Sequence, residues 1–298
     1  MARCFFQEVA RRFRINFSLL TLPSGDDGIV IVWAVKSSKK IQEISCFFCG
    51  AITAVCWIDP RCDKDLSFAL GCASGDIQVY LRSDANATFQ LASMRACHEA
   101  HVEDIRFDSN SRRVASVGGG AVQVWNLTLG YSLESLVKDP PRQAVTVRSV
   151  HFCDEGASVI VCFCESHDIF CYNVEPWTLK WAKRVPTRIG HSALSHDERT
   201  LVISNLETGV DEYRFPSLER VRSYTYPILR NHIMQVGMIG TQIIVGGDDG
   251  FARMYESTTG CLIGTLDHYN GVFDSMFWPF NPYTLEISQQ GPLCRLLL

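Results

Sequence analysis

The feature that most constrains this chain is a recurring cluster of turn residues followed by a short apolar run that closes on an aromatic. Ser24-Gly25-Asp26-Asp27-Gly28 precedes Ile29 to Trp33, and Gly246-Gly247-Asp248-Asp249-Gly250 precedes Phe251 to Tyr255. Ala73-Ser74-Gly75-Asp76 with Ile77 to Tyr80 is a third copy. Looser copies are Gly118-Gly119-Gly120 with Ala121 to Trp125, Glu165 to Asp168 with Ile169 to Tyr172, and Glu207-Thr208-Gly209 with Val210 to Tyr213. The closing aromatics Trp33, Tyr80, Trp125, Tyr172, Tyr213 and Tyr255 stand 47, 45, 47, 41 and 42 residues apart by subtraction. A fixed period of this size means one structural unit repeated along the chain, each unit burying its apolar face against the next.

Each unit also repeats an internal order. In the clearest copy, Phe89 to Met94, Val102 to Phe107, Arg113 to Val117 and Ala121 to Trp125 are short apolar or alternating runs separated by turn residues, the pattern of strands. Four strands in about 40–47 residues is the period of a propeller blade. The Gly-Asp-Asp-Gly clusters belong in hairpins, where glycine and aspartate tolerate positive φ. No long helix is expected, and residues 127–146, with Pro140-Pro141, read as an outer strand plus a loop. The expectation is an all-β, seven-bladed β-propeller of four-stranded antiparallel blades, forming one domain over residues 1–298. Leu293 to Leu298 would be the third strand of the seventh blade. The first blade is expected to be incomplete, because only 24 residues precede Gly25. Asn16 to Leu22 supply its second strand, leaving Met1 to Ile15 for either an innermost strand or the outer strand that closes the last blade. Residues 1–23 are thus a partial first blade or a closing strand.

Other marks fall at regular distances. Cys97-His98 stands nine residues before Phe107, and Asp267-His268 nine before Phe277. With the hairpins and closing aromatics, this pattern resembles the WD-repeat family. The resemblance implies that His98, Ser116 and Trp125 are three members of the hydrogen-bonded tetrad of such a blade. It gives Trp33, Asp27, Asp249 and His268 corresponding structural places in other blades. The chain departs from the family where Ala34 follows Trp33, where Asn126 follows Trp125, and where Gly118 to Gly120 replace the hairpin aspartate. The resemblance further implies a non-enzymatic protein–protein interaction scaffold or adaptor in a multiprotein complex, with other proteins as partners. Family geometry puts His101, Arg142, His167, Arg188, Arg230 and Tyr269 close to loops on one rim, and arginine with aromatic side chains is the usual make-up of a recognition hot spot.

Charge and cysteine usage narrow the alternatives. Lys+Arg 28 against Asp+Glu 32 leaves a net charge of -4, so no global positive field draws the chain to nucleic acid or anionic lipid. No stretch approaches the ~18 apolar residues of a membrane helix. The 13 cysteines are odd in number and lie mostly in apolar runs, as small buried hydrophobes do in a reducing compartment, cytoplasmic or nuclear. His151, Cys153, Cys162, Cys164, His167 and Cys171 crowd one blade as soft ligands would, yet Cys162 and Cys164 alternate along a strand and read as blade filling. Cys46 to Cys49 is a lone Cys-x-x-Cys at a strand end entering a turn. No cofactor, metal or catalytic residue is expected. The alternative function is a propeller enzyme of the metal-dependent hydrolase type with its site at the central channel. It would use His98 with Glu99 or Glu103 as base and orienter, and Asp26, Asp27, Asp248 or Asp249 as metal carboxylates.

Overall fold

A computed structural model describes residues 2–4, 20–21, 23–25, 28–34, 39–58, 66–84, 87–137 and 142–267. From Ile52 onward, strands and turns alternate at the spacing of the repeat. They build five four-stranded antiparallel sheets, each paired in chain order. The second sheet comprises Ile52–Ile58, Leu66–Cys72, Asp76–Arg82 and Gln90–Ala96. The third comprises Val102–Asp108, Arg113–Gly118, Ala121–Leu127 and Leu133–Ser135. The fourth comprises Val147–Cys153, Ser158–Phe163, Asp168–Asn173 and Thr178–Arg184. The fifth comprises His191–Leu194, Thr200–Ser204, Gly209–Arg214 and Glu219–Thr225, and the sixth Val236–Ile239, Gln242–Gly246, Phe251–Glu256 and Leu262–Asp267.

The first sheet is the irregular one, as its short sequence foretells. Leu20–Thr21 pairs with the end of Ile29–Ala34 and Pro23–Gly25 with its start, so the two fragments together fill one strand position. Pro23 has no N–H to give the ladder, which suits a strand broken near it. Lys39–Ser45 flanks Ile29–Ala34 on the other side, and Ala2–Cys4 pairs with Pro23–Gly25. Of the two uses open to the N-terminal residues, the innermost strand of the first sheet is the one adopted by Ala2–Cys4. It has three residues where Ile52–Ile58 has seven. The second strand runs on to Gly25, past the expected end at Leu22. Asp27, His268, Tyr269 and the strands of the seventh blade lie outside the described residues.

The fourth strand is the exposed one: Gln90–Ala96 is exposed at every position but one, whereas all seven residues of both Ile52–Ile58 and Leu66–Cys72 are buried. From the second sheet to the sixth the first strands lie against one another, so the first strand of each is innermost and the fourth outermost. The sequence unit and the sheet are offset by one strand: Phe89 to Met94, which opens the clearest repeat, falls in the outermost strand of the second sheet, and the other three runs of that repeat open the third. Apolar side chains pack between sheets as well as within them. Val30 and Val32 of the first sheet share a cluster with Trp57 and Phe68 of the second, and Ile160 and Cys171 of the fourth share one with Ile203 and Tyr213 of the fifth. The closing aromatics Tyr80, Trp125, Tyr172, Tyr213 and Tyr255 are all buried in these seams, which is why the aromatic recurs. In the hairpins, positive φ falls on Gly28, Gly75, Gly120 and Gly250 rather than on Asp248 or Asp249. Those aspartates act through their carboxylates instead.

Candidate recognition rim and the polar belt beneath it

In a four-stranded antiparallel meander, the turn between strands two and three lies at the same end as the connection from strand four to the next sheet. His101, Arg142, Arg188 and Arg230 all sit in those intersheet connections, and His167 in the second hairpin of the fourth sheet, so the topology brings these five to one rim. Their circumstances differ. Arg142 is exposed and ion-paired with Glu99. His101 is exposed but hydrogen-bonded to Glu103, which also takes a 2.8 Å bond from Arg148. His167 is half-buried and left-handed at φ 61. Arg188 is exposed and forms no ion pair among the described residues. The backbone amides of Leu229 and Arg230 donate to Asp248, which pins that loop to the neighbouring Gly-Asp-Asp-Gly hairpin. Asp249 pairs with Arg253, whose guanidinium lies 4.8 Å from the Tyr226 ring centroid.

Two rim residues escape a reading of the sequence. Phe48 is fully exposed, and Leu229 is largely exposed beside Arg230. Phe48 belongs to a single 3₁₀ turn, Phe47–Cys49, that connects the first sheet to the second. Cys46 and Cys49, three apart, share one face of a three-residue turn and are both buried, so Phe48 between them is turned outward. The Cys-x-x-Cys spacing was the available signal, as a mark of facing rather than of metal.

Beneath the rim, side chains tie successive innermost strands together. Asp104 of the third sheet accepts from the Val150 N–H of the fourth at 3.1 Å and pairs with Arg106 at 3.3 Å. Ser192 of the fifth sheet meets Ser149 at 2.6 Å and His151 at 2.9 Å, and His191 Nδ1 accepts from the Val236 N–H of the sixth at 3.3 Å. Burial raises the Asp104 carboxyl, drives His151 well below the ordinary imidazole value, and lowers His191 to about 3. His151 and Ser192 stand at a nucleophile–base distance, but both are buried, the imidazole is a weak base, and the hydroxyl is shared with Ser149 and the Cys162 thiol. What this arrangement does is hold blades in register.

The remaining candidates are equally accounted for. His98 Nε2 lies 2.9 Å from Ser116 Oγ, which also accepts from Trp125 Nε1 at 3.1 Å, so the half-buried His98 joins the buried Ser116 and Trp125 in one link. Burial lowers His98 to about 4. Glu99 serves Arg142 and Glu103 serves His101 and Arg148, so neither orients His98 as a base. Trp33 is half-buried in the third strand of the first sheet. The soft-ligand blade divides: His151 and Cys162 converge on Ser192, Cys164 is buried at the end of its strand, and His167 lies on the rim. Only Cys153 and Cys171 come together, at the end of the sheet away from the rim.

No family model matches the chain and no curated protein does. Among solved structures it is similar to Sqt1 of Saccharomyces cerevisiae, with a TM-score of 0.63 at 12% identity over 86% of this chain and 72% of that one. With the four-stranded antiparallel sheets, the likeness establishes an all-β propeller fold. It extends to the fold alone, since one propeller scaffold carries many functions. Among the described residues no helix is long and apolar enough to cross a membrane.

Proposed function

We propose that this chain is a non-enzymatic interaction scaffold that binds other proteins through the rim carrying Phe48, Leu229, Arg188, Arg142 and Arg230, with residues 1–298 acting as one propeller. The observation that carries this reading is the fully exposed Phe48 on the rim that also bears Leu229 and the arginines. Burying one such phenylalanine in a partner is worth roughly 1.5–3 kcal/mol, or about ten- to a hundredfold in Kd. Arginine and aromatic side chains are enriched in protein interfaces and their hot spots. A partner surface offering an apolar pocket bordered by carboxylates fits these groups best. A reducing compartment, cytoplasmic or nuclear, suits the described cysteines, which are free thiols and mostly buried. The inner-strand carboxylates Glu103 and Asp104 are engaged by Arg148 and Arg106, so they favour a structural role over a hydrolytic one.

The test is affinity purification of the tagged chain from its own cells. A Phe48→Ala, Arg188→Ala, Leu229→Ala variant is compared with Leu129→Ala, whose exposed side chain lies at the opposite end of the third sheet. The rim variant is expected to lose specific co-purifying proteins with its thermal midpoint unchanged, while Leu129→Ala keeps them. Retention of those proteins by the rim variant contradicts the reading.

A further inference from the structure

At the end of the fourth sheet opposite the rim, the Cys153 and Cys171 thiols and the Asp154 carboxylate have ligand atoms that all lie within 4.8 Å of one another. Two features of the chain single this cluster out. First, the residue at the end of the innermost strand serves its own turn in the neighbouring sheets: Asp108, which closes its strand, accepts the Ser111 N–H on Oδ2 at 2.7 Å, and Ser195, directly after Leu194, accepts the Thr200 N–H on Oγ at 2.9 Å. In the fourth sheet that place is held by Cys153, whose thiol lies 3.9 Å from Asp154 Oδ2 and close to the Cys171 thiol. Second, the residue before the closing aromatic is Val32, Val79, Val124 and Met254 in the first, second, third and sixth sheets and Glu212 in the fifth, whereas the fourth places a thiol there, Cys171.

We propose that Cys153, Cys171 and Asp154 form a binding site for a zinc-class divalent cation. Two thiolates and a carboxylate are the donor set of borderline-soft zinc rather than of magnesium or calcium. Zinc–sulfur bonds of about 2.3 Å at a tetrahedral angle put two sulfurs ~3.8 Å apart, within the 4.8 Å that bounds this cluster. Asp154 is exposed, which leaves a path from solvent, and water completes the coordination with Glu198 close by, its Oε2 accepting the Asp154 N–H at 2.8 Å. Lys180 Nζ donates to Asp154 Oδ2 at 2.7 Å and leaves the other carboxylate oxygen for the metal. Binding releases the thiol protons to solvent, so affinity rises with pH. The ammonium of Lys180 also repels the incoming cation, so removing it strengthens binding.

The experiment is titration of the reduced full chain with Co²⁺ as optical probe, followed by displacement with Zn²⁺. One equivalent of Co²⁺ is expected to give a thiolate-to-cobalt charge-transfer band that Zn²⁺ abolishes. Cys153→Ser and Cys171→Ser are each expected to lose the band, and Cys261→Ser, an exposed thiol elsewhere, to keep it. Asp154→Asn and Lys180→Ala alter exposed side chains and leave the fold intact; the first is expected to weaken Co²⁺ binding at least tenfold and the second to tighten it at least twofold. The proposal is overturned if no stoichiometric band forms, if the band survives both cysteine substitutions, or if the two exposed variants bind as the wild type does.

Discussion

Buried histidine gives this propeller a pH-dependent seam. His191 and His151 are neutral inside the belt, His191 held at about 3 and His151 well below its ordinary value by burial, with Arg106 adding to both shifts. In the unfolded chain the same imidazoles titrate near 6.5. Between those values the unfolded state binds more protons, so their contribution to stability is complete above about pH 6.5 and is lost as pH falls. The slope is at most about 1.4 kcal/mol per pH unit for each histidine. Asp104, pushed up by burial, has the opposite sign and softens the loss at the acid end. The urea midpoint is expected to drop between pH 7.5 and pH 5, and His191→Gln to flatten that drop. A midpoint that is level or rises toward pH 5 contradicts the assignment. The belt was illegible in the sequence. Ser116 and Trp125 share one sheet, and His98 lies in the connection that leads into it, at a known spacing, whereas Ser192 meets His151 across two sheets, 41 residues apart, and no local pattern announces that meeting.

Hairpin glycines show how much an element depends on its surroundings. Gly75 and Gly250 both have φ +89, yet a Cβ on Gly75 would lie 2.0 Å from the His98 carbonyl oxygen, while one on Gly250 meets nothing within 4 Å among the described residues. Gly250→Ala is expected to cost about 1–2 kcal/mol for the left-handed backbone alone. Gly75→Ala adds displacement of the segment that carries His98, and is expected to cost at least twice as much by denaturant titration. Equal losses at the two sites contradict this account. The strands themselves were legible, because alternation and turn residues define them: Val102–Asp108, Arg113–Gly118 and Ala121–Leu127 fall where the sequence sets them. The hairpin aspartates were legible in place but not in purpose, since glycine carries the positive φ while Asp248 caps the Leu229–Arg230 amides. Phe48 was hidden because a phenylalanine between two buried cysteines reads as core until the turn's three-residue pitch is known.

For the whole molecule, the period of the closing aromatics was enough to reach the propeller, because each aromatic fills a seam between sheets and must recur once per blade. That His101, Arg142, His167, Arg188 and Arg230 share one end was legible from strand order, which sends every intersheet connection and every second hairpin there. The exposure of Phe48 and Leu229 was not, since it depends on how each loop packs: Asp248, for one, fixes the loop of Leu229. A rigid belt beneath an exposed apolar and cationic rim is suited to holding a partner without reshaping. Hydrogen exchange of the full chain, alone and with the protein that co-purifies with it most strongly, tests that directly. Slowed exchange at residues 46–50, 186–190 and 227–232 is the predicted result. Slowing confined to residues 128–132 and the opposite end of the sheets, or absent throughout, would contradict it.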